Sequence, residues 1–158
     1  MRKYIVIAII NIILIFLEES FFYELFGAEL NPNLVIALSF ALIIVKEDEL
    51  ALYAALIGGF FLDLLGAGII GLSSLTLILL MQISMKVGKT IYRGLITQLI
   101  FIVITTIVYK ILMNYPPLYY NKTLFFSGVM TASLSVLISQ ALARFKKRYL
   151  STEFRIKA

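Results

Sequence analysis

The sequence predicts an all-α membrane protein, a six-helix transmembrane bundle, and three observations carry that prediction. The chain is 61% hydrophobic, with a mean hydropathy of +1.00. Its apolar runs approach the roughly 20 helical residues that cross a hydrocarbon core about 30 Å thick. Stretches such as IVIAIINIILIFL show no period-two alternation. Lipid offers backbone groups no hydrogen bonds, so only helices or a closed barrel can span it, and the missing alternation selects helices.

Apolar length and punctuation place helices near residues 3–22, 32–45, 50–65, 69–87, 94–113 and 123–143. Arg2 and Lys3 precede the first, and no small-residue cleavage site follows its apolar run, so it is expected to remain as an anchor. Asn31 and Pro32 read as the cap and first-turn proline of the second. Helices two and three are short for a full span, which also suits a re-entrant or mismatched hairpin. The segment NYPPLYYN, 114–121, reads as a turn. Residues 1–143 thus form a single six-helix transmembrane domain, and residues 144–158 a basic cytoplasmic tail.

Basic residues concentrate in cytoplasmic segments of membrane proteins. With both termini inside, Arg2, Lys3, Lys46, Lys86, Lys89, Arg93, Arg144, Lys146, Lys147, Arg148, Arg155 and Lys157 fall inside, and of the 14 basic residues only Lys110 and Lys122 fall outside. The first outer loop then carries Glu18, Glu19, Glu24 and Glu29. The net charge of +5 reflects this anchoring and attraction to anionic lipids, rather than a nucleic-acid partner. The tail mixes Arg144, Lys146, Lys147 and Arg148 with Phe145, Tyr149, Leu150 and Phe154, a pattern that suits either a solvated flank or a short interfacial helix.

The chain has no cysteine and no histidine, which removes thiolate chemistry and the commonest general base and metal ligand. No cofactor, metal site or catalytic residue is indicated, and the chain reads as a non-enzyme. The one charge between Glu49 and Lys86 is Asp63. A carboxylate inside a membrane segment is costly, by about 2.5–3.5 kcal/mol on insertion scales, and therefore marks a site. An ion relay would need further ionisable groups, yet the neighbourhood offers Ser73, Ser74, Thr76, Gln82 and Ser84. Catalysis would need a second positioned group. Two compatible roles remain: accepting hydrogen bonds from the N–H groups that open the next helix, and shaping an outer surface for a partner. Ala51, Ala55 and Gly59 recur every four residues, and Ser127, Thr131, Ser135 and Ser139 repeat that spacing in the last helix, the pattern of close helix packing in membranes.

These residues resemble the MreD family, rod shape-determining membrane proteins of bacteria. The pattern is a Pro-Asn/Asp-Leu helix start, small-residue spacing into Gly-x-x-x-Asp, then Gly-Leu followed closely by Leu. Here it reads Pro32, Asn33 and Leu34; Ala55, Gly59 and Asp63; Gly71, Leu72 and Leu75. Ala55 departs from the glycine more often expected there. The resemblance implies a non-enzymatic scaffold of the elongasome, which inserts side-wall peptidoglycan. It implies association with MreC, links to MreB, RodA and the elongation penicillin-binding protein, and a plasma-membrane location; a homo-oligomer stays open beside these. Pro32, Asn33, Gly59, Asp63 and Gly71 are then structural or partner-facing, while Ala55, Ser127, Thr131, Ser135 and Ser139 pack helices. The family's fold is similar to that of S components of energy-coupling-factor vitamin transporters, which supplies the alternative function, substrate capture for an ATP-driven module. An S component docks through small residues in its first helix, whereas YIVIAIINIILIFL is dominated by bulky side chains.

Overall fold

The computed structural model describes residues 2–65, 69–91, 95–113 and 122–156, and every regular element among them is helical. They are α1 (Arg2–Leu17), a π-helical turn (Glu18–Phe22), α2 (Tyr23–Leu30), α3 (Leu34–Ile44), α4 (Asp48–Leu65), α5 (Leu72–Ile91), α6 (Leu95–Leu112) and α7 (Thr123–Ile156). The expected turn at 114–121 lies outside the described residues.

Side-chain contacts fix the direction of each helix. Tyr4 meets Glu49 and Asn11 meets Ala54, so α1 and α4 run in parallel. Asp63 meets Ser73 and Leu56 meets Ser74, so α5 returns antiparallel to α4. Asn33 meets Thr131 while Val45 meets Lys146, so α3 and α7 descend together. α1, α4 and α6 therefore run toward one end of the bundle, where Glu18, Asp63 and Lys110 lie. α3, α5 and α7 run back to the other, where the α3–α4 turn joins α7 through a 2.6 Å ion pair between Lys146 and Glu47.

That hydrogen bond to Lys146 holds the Glu47 carboxyl below its ordinary range, with Lys3 adding to the effect. A depressed acid stabilises the fold above its unfolded pKa and loses that contribution as pH falls through the folded value. Both partners are substantially exposed, so the pair adds little to stability.

The centre of the bundle is α3. Leu34 to Leu42 are all buried, and the helix touches α1, α4, α5, α6 and α7. A helix apolar on every side belongs where protein surrounds it. Its 11 residues rise only about 16 Å, less than a bilayer core.

Large apolar side chains face outward, and polar side chains are buried beside the apolar core. Ile5, Phe16, Leu56, Leu79, Ile100 and Leu137 are exposed, whereas Asn11, Ser39, Thr106, Ser127, Thr131 and Ser135 are buried. The hydroxyls on α6 and α7 donate to carbonyls three or four residues back, so they bury without loss: Thr106 to Ile102, Thr131 to Ser127, Ser135 to Ala132 and Ser139 to Val136. Ser135 is fully buried. Ser135→Phe is expected to overpack the bundle and destabilise it by about 1–3 kcal/mol, measured as a lower melting midpoint in detergent.

Two segments, Lys3–Gly27 and Thr123–Lys146, are long and apolar enough to cross a membrane; Leu34–Ile44, Leu72–Val87 and Ile96–Leu112 are shorter apolar helices. Four features differ from the sequence expectation. The acidic stretch after residue 17 is not a loop, because helix continues through the π turn and α2 to Leu30, with a break at Gly27. α3 begins at Leu34, and its cap is Asn33 rather than Asn31, since the Asn33 side chain reaches the Ile36 amide at 2.8 Å. Lys110, expected on the outer side, is buried in the last turn of α6. α7 does not stop near 143 and continues through the basic segment to Ile156.

Candidate functional site

At the end reached by α1, α4 and α6, two carboxylates perform the same task. A helix start leaves N–H groups without intrahelical partners, and in an apolar bundle each needs an acceptor. The start of α5 takes its acceptor from α4. Asp63 is buried; its Oδ2 accepts from the Gly71 amide at 2.7 Å, and both its oxygens accept from the Ser73 amide at 3.1 Å. Negative charge there also opposes the helix dipole favourably.

Two glycines make this approach possible. A Cβ on Gly59 would lie 2.5 Å from the Ser74 Cα and 2.6 Å from its amide nitrogen, so only glycine admits the α5 backbone against α4. Gly71 has φ +94, a left-handed conformation costly for residues with a Cβ. The hydroxyls of Ser73 and Ser74 extend the contact, the first to the Met113 sulfur at 3.6 Å and the second to the Leu56 carbonyl at 3.0 Å.

The start of α3 takes its acceptor from the end of α1. Glu18 is buried at the head of the π turn, and its Oε2 accepts from the Leu34 amide at 2.8 Å. π turns are rare and recur at functional positions. Around this contact the chain closes on Asn31, Pro32 and Asn33. Asn31 Nδ2 donates to the Glu18 carbonyl at 3.3 Å, while the Asn31 carbonyl accepts from Lys110 Nζ at 2.9 Å and from Ser127 Oγ at 2.8 Å. The Asn33 amide donates to Thr131 Oγ1 at 3.0 Å. Pro32 is fully buried between these groups and, lacking an N–H, adds no donor to satisfy.

The two capped starts lie at one end of the bundle and are linked through α6, where Lys110 and Met113, three residues apart, serve one start each. Of the residues singled out in sequence, Pro32, Asn33, Ser127 and Thr131 meet at the α3 start, and Gly59, Asp63 and Gly71 at the α5 start. Ala55 is buried deeper in α4, and Ser135 and Ser139 lie further along α7. Sequence reasoning missed Glu18 and Lys110. Glu18 stands 16 residues before the helix start that it caps, as Asp63 stands 10 before Ser73, and an acid at the end of an apolar run ahead of a Pro-Asn start was the available signal.

Compared with protein-family models, curated proteins and solved structures, the chain matches none.

Proposed function

We propose that this chain is a multi-pass protein of the bacterial plasma membrane and a non-enzymatic scaffold of the MreD type, which binds MreC and helps to direct side-wall peptidoglycan synthesis. The observation that carries the reading is the convergence of the motif residues. Pro32 and Asn33 on one side, and Gly59, Asp63 and Gly71 on the other, all serve to fix two helix starts at the same end of the bundle. Rigid elements set at one end make a preorganised docking surface, since ordering costs are met before the partner arrives.

The membrane reading is supported by the exposed apolar side chains and by length. α4, α5 and α6, at 18, 20 and 18 residues, rise about 27–30 Å, and the short α3 is shielded by its neighbours. Lys3, Lys46, Lys86, Arg144 and Lys146 belong to the opposite end, the cytoplasmic one by the distribution of positive charge. Cysteines placed at Ser151 and Asn121 should then label from opposite sides of the membrane; labelling of both from outside would refute this topology.

The transporter alternative is disfavoured by α1, which presents Ile5, Val6, Ile9, Ile13 and Phe16 outward, bulky groups where an S component is expected to offer small ones. Purification of the tagged chain in a gentle detergent separates the two readings. Co-purification of MreC supports the scaffold, and recovery of an ATPase pair with its membrane coupler overturns it.

A further inference from the structure

We propose that the open cavity at the cytoplasmic end holds the head group of one phosphoethanolamine lipid. This inference rests on the membrane reading above and not on the partnership with MreC. The cavity, of about 400 Å³, is lined by Lys3 and Tyr4 from α1 and by Lys46, Glu47, Asp48 and Glu49 around the α3–α4 turn. It carries both signs of charge. Glu47 is engaged by Lys146 at 2.6 Å, and Tyr4 donates to Glu49 at 3.4 Å. Lys46 has φ 61 because it closes the end of α3 in a left-handed cap, its amide donating to Ile43 and that of Glu47 to Leu42, which fixes the backbone of the turn that lines the cavity.

A purely anionic head group would bring its charge against Glu47, Asp48 and Glu49. A purely cationic one would meet Lys3 and Lys46. Phosphoethanolamine brings a phosphate for the lysines and an ammonium whose N–H groups can donate to Asp48 and Glu49; the quaternary nitrogen of phosphocholine has no such donors. The occupant is a lipid rather than free phosphoethanolamine because Tyr4, which lines the cavity, is followed on α1 by an exposed apolar face. Ile5, Val6 and Ile9 on α1 are each more than half exposed and continue upward from Tyr4, where an acyl chain would lie.

The test is native mass spectrometry of the full-length chain in detergent with an equimolar mixture of dioleoyl phosphatidylethanolamine, phosphatidylglycerol and phosphatidylcholine. The wild type should retain one phosphatidylethanolamine in preference to the other two. Lys3→Gln with Lys46→Gln should lower its retention by roughly fivefold for each lysine. Asp48→Asn with Glu49→Gln should shift the preference to phosphatidylglycerol. Retention of phosphatidylglycerol by the wild type at or above the level of phosphatidylethanolamine overturns the proposal, whatever the variants do. Displacement of the lipid by an equal concentration of free phosphoethanolamine overturns the lipid as occupant. Release of the chain from membranes by alkaline carbonate would instead overturn the membrane reading, which keeps the two failures distinct.

Discussion

Asp63→Leu is expected to lower the melting midpoint of the purified protein and, under the scaffold proposal, to abolish co-purification of MreC. The carboxylate accepts from two amides, those of Gly71 and Ser73, and leucine accepts from neither. Each buried donor left without a partner costs about 1–3 kcal/mol. Water cannot substitute readily, because Asp63 and Ser73 are both buried. The start of α5 should therefore loosen, and with it the left-handed turn at Gly71 that the carboxylate holds. Asp63→Asn keeps the size and one acceptor oxygen, so its loss in both measurements should be smaller. If Asn eliminated the proposed MreC capture as completely as Leu, with the melting midpoint unchanged from the parent, the charge itself would be the functional element, and the capping account of Asp63 would fail.

The contrast between Asp63 and Glu18 shows what a sequence of this kind makes legible. Asp63 stands alone in an apolar run, and an isolated acid there has to be satisfied by protein, so its role can be read before its partners are known. Glu18 stands beside Glu19 and close to Glu24 and Glu29, a grouping that reads as an acidic loop. Which of those carboxylates turns inward depends on helix phase. The π turn at Glu18–Phe22 alters that phase locally, so the 3.6-residue periodicity does not reveal it. Lys110 is obscured for a related reason: a lysine near the end of an apolar helix reads as an interfacial flank that snorkels to water. Here it turns inward to the Asn31 carbonyl, 79 residues away in sequence.

Helix existence was easier to read than helix ends. α4, α5 and α6 lie close to their expected spans, because glycine clusters and charges punctuate the apolar runs. α3 is apolar on every side, so its composition identified a helix while its phase carried no information about neighbours. The continuation of α7 to Ile156 crosses from an apolar to a basic composition, a change that alters the side chains without breaking backbone hydrogen bonds. Chemistry at the candidate site followed the same division. Pro32, Asn33, Gly59, Asp63 and Gly71 were visible as local motifs, whereas their joining through α6 is a property of the folded bundle.

Glu18→Leu is expected to be at least as damaging as Asp63→Leu, although its side chain caps only one amide. Loss of the side chain leaves the Leu34 amide without its acceptor and also removes the acidic group that couples to Lys110, whose Nζ is held on the Asn31 carbonyl. If the two form an ion pair, the charge left without its counterpart adds about 3–5 kcal/mol to the loss of the cap. Glu18→Gln separates the two effects, because the amide oxygen can still accept from Leu34 while the charge is gone. Lys110→Met alone strands the carboxylate, and the Asn31 carbonyl keeps the Ser127 hydroxyl as a donor. If Glu18 and Lys110 act as a pair, the Glu18→Gln, Lys110→Met double variant should melt above the value expected from adding the two single losses. The coupling should be about 0.5–3 kcal/mol, the range for residues that share partners. Strict additivity would mean that each residue is held by its own hydrogen bonds alone, and that charge plays no part in fixing the start of α3.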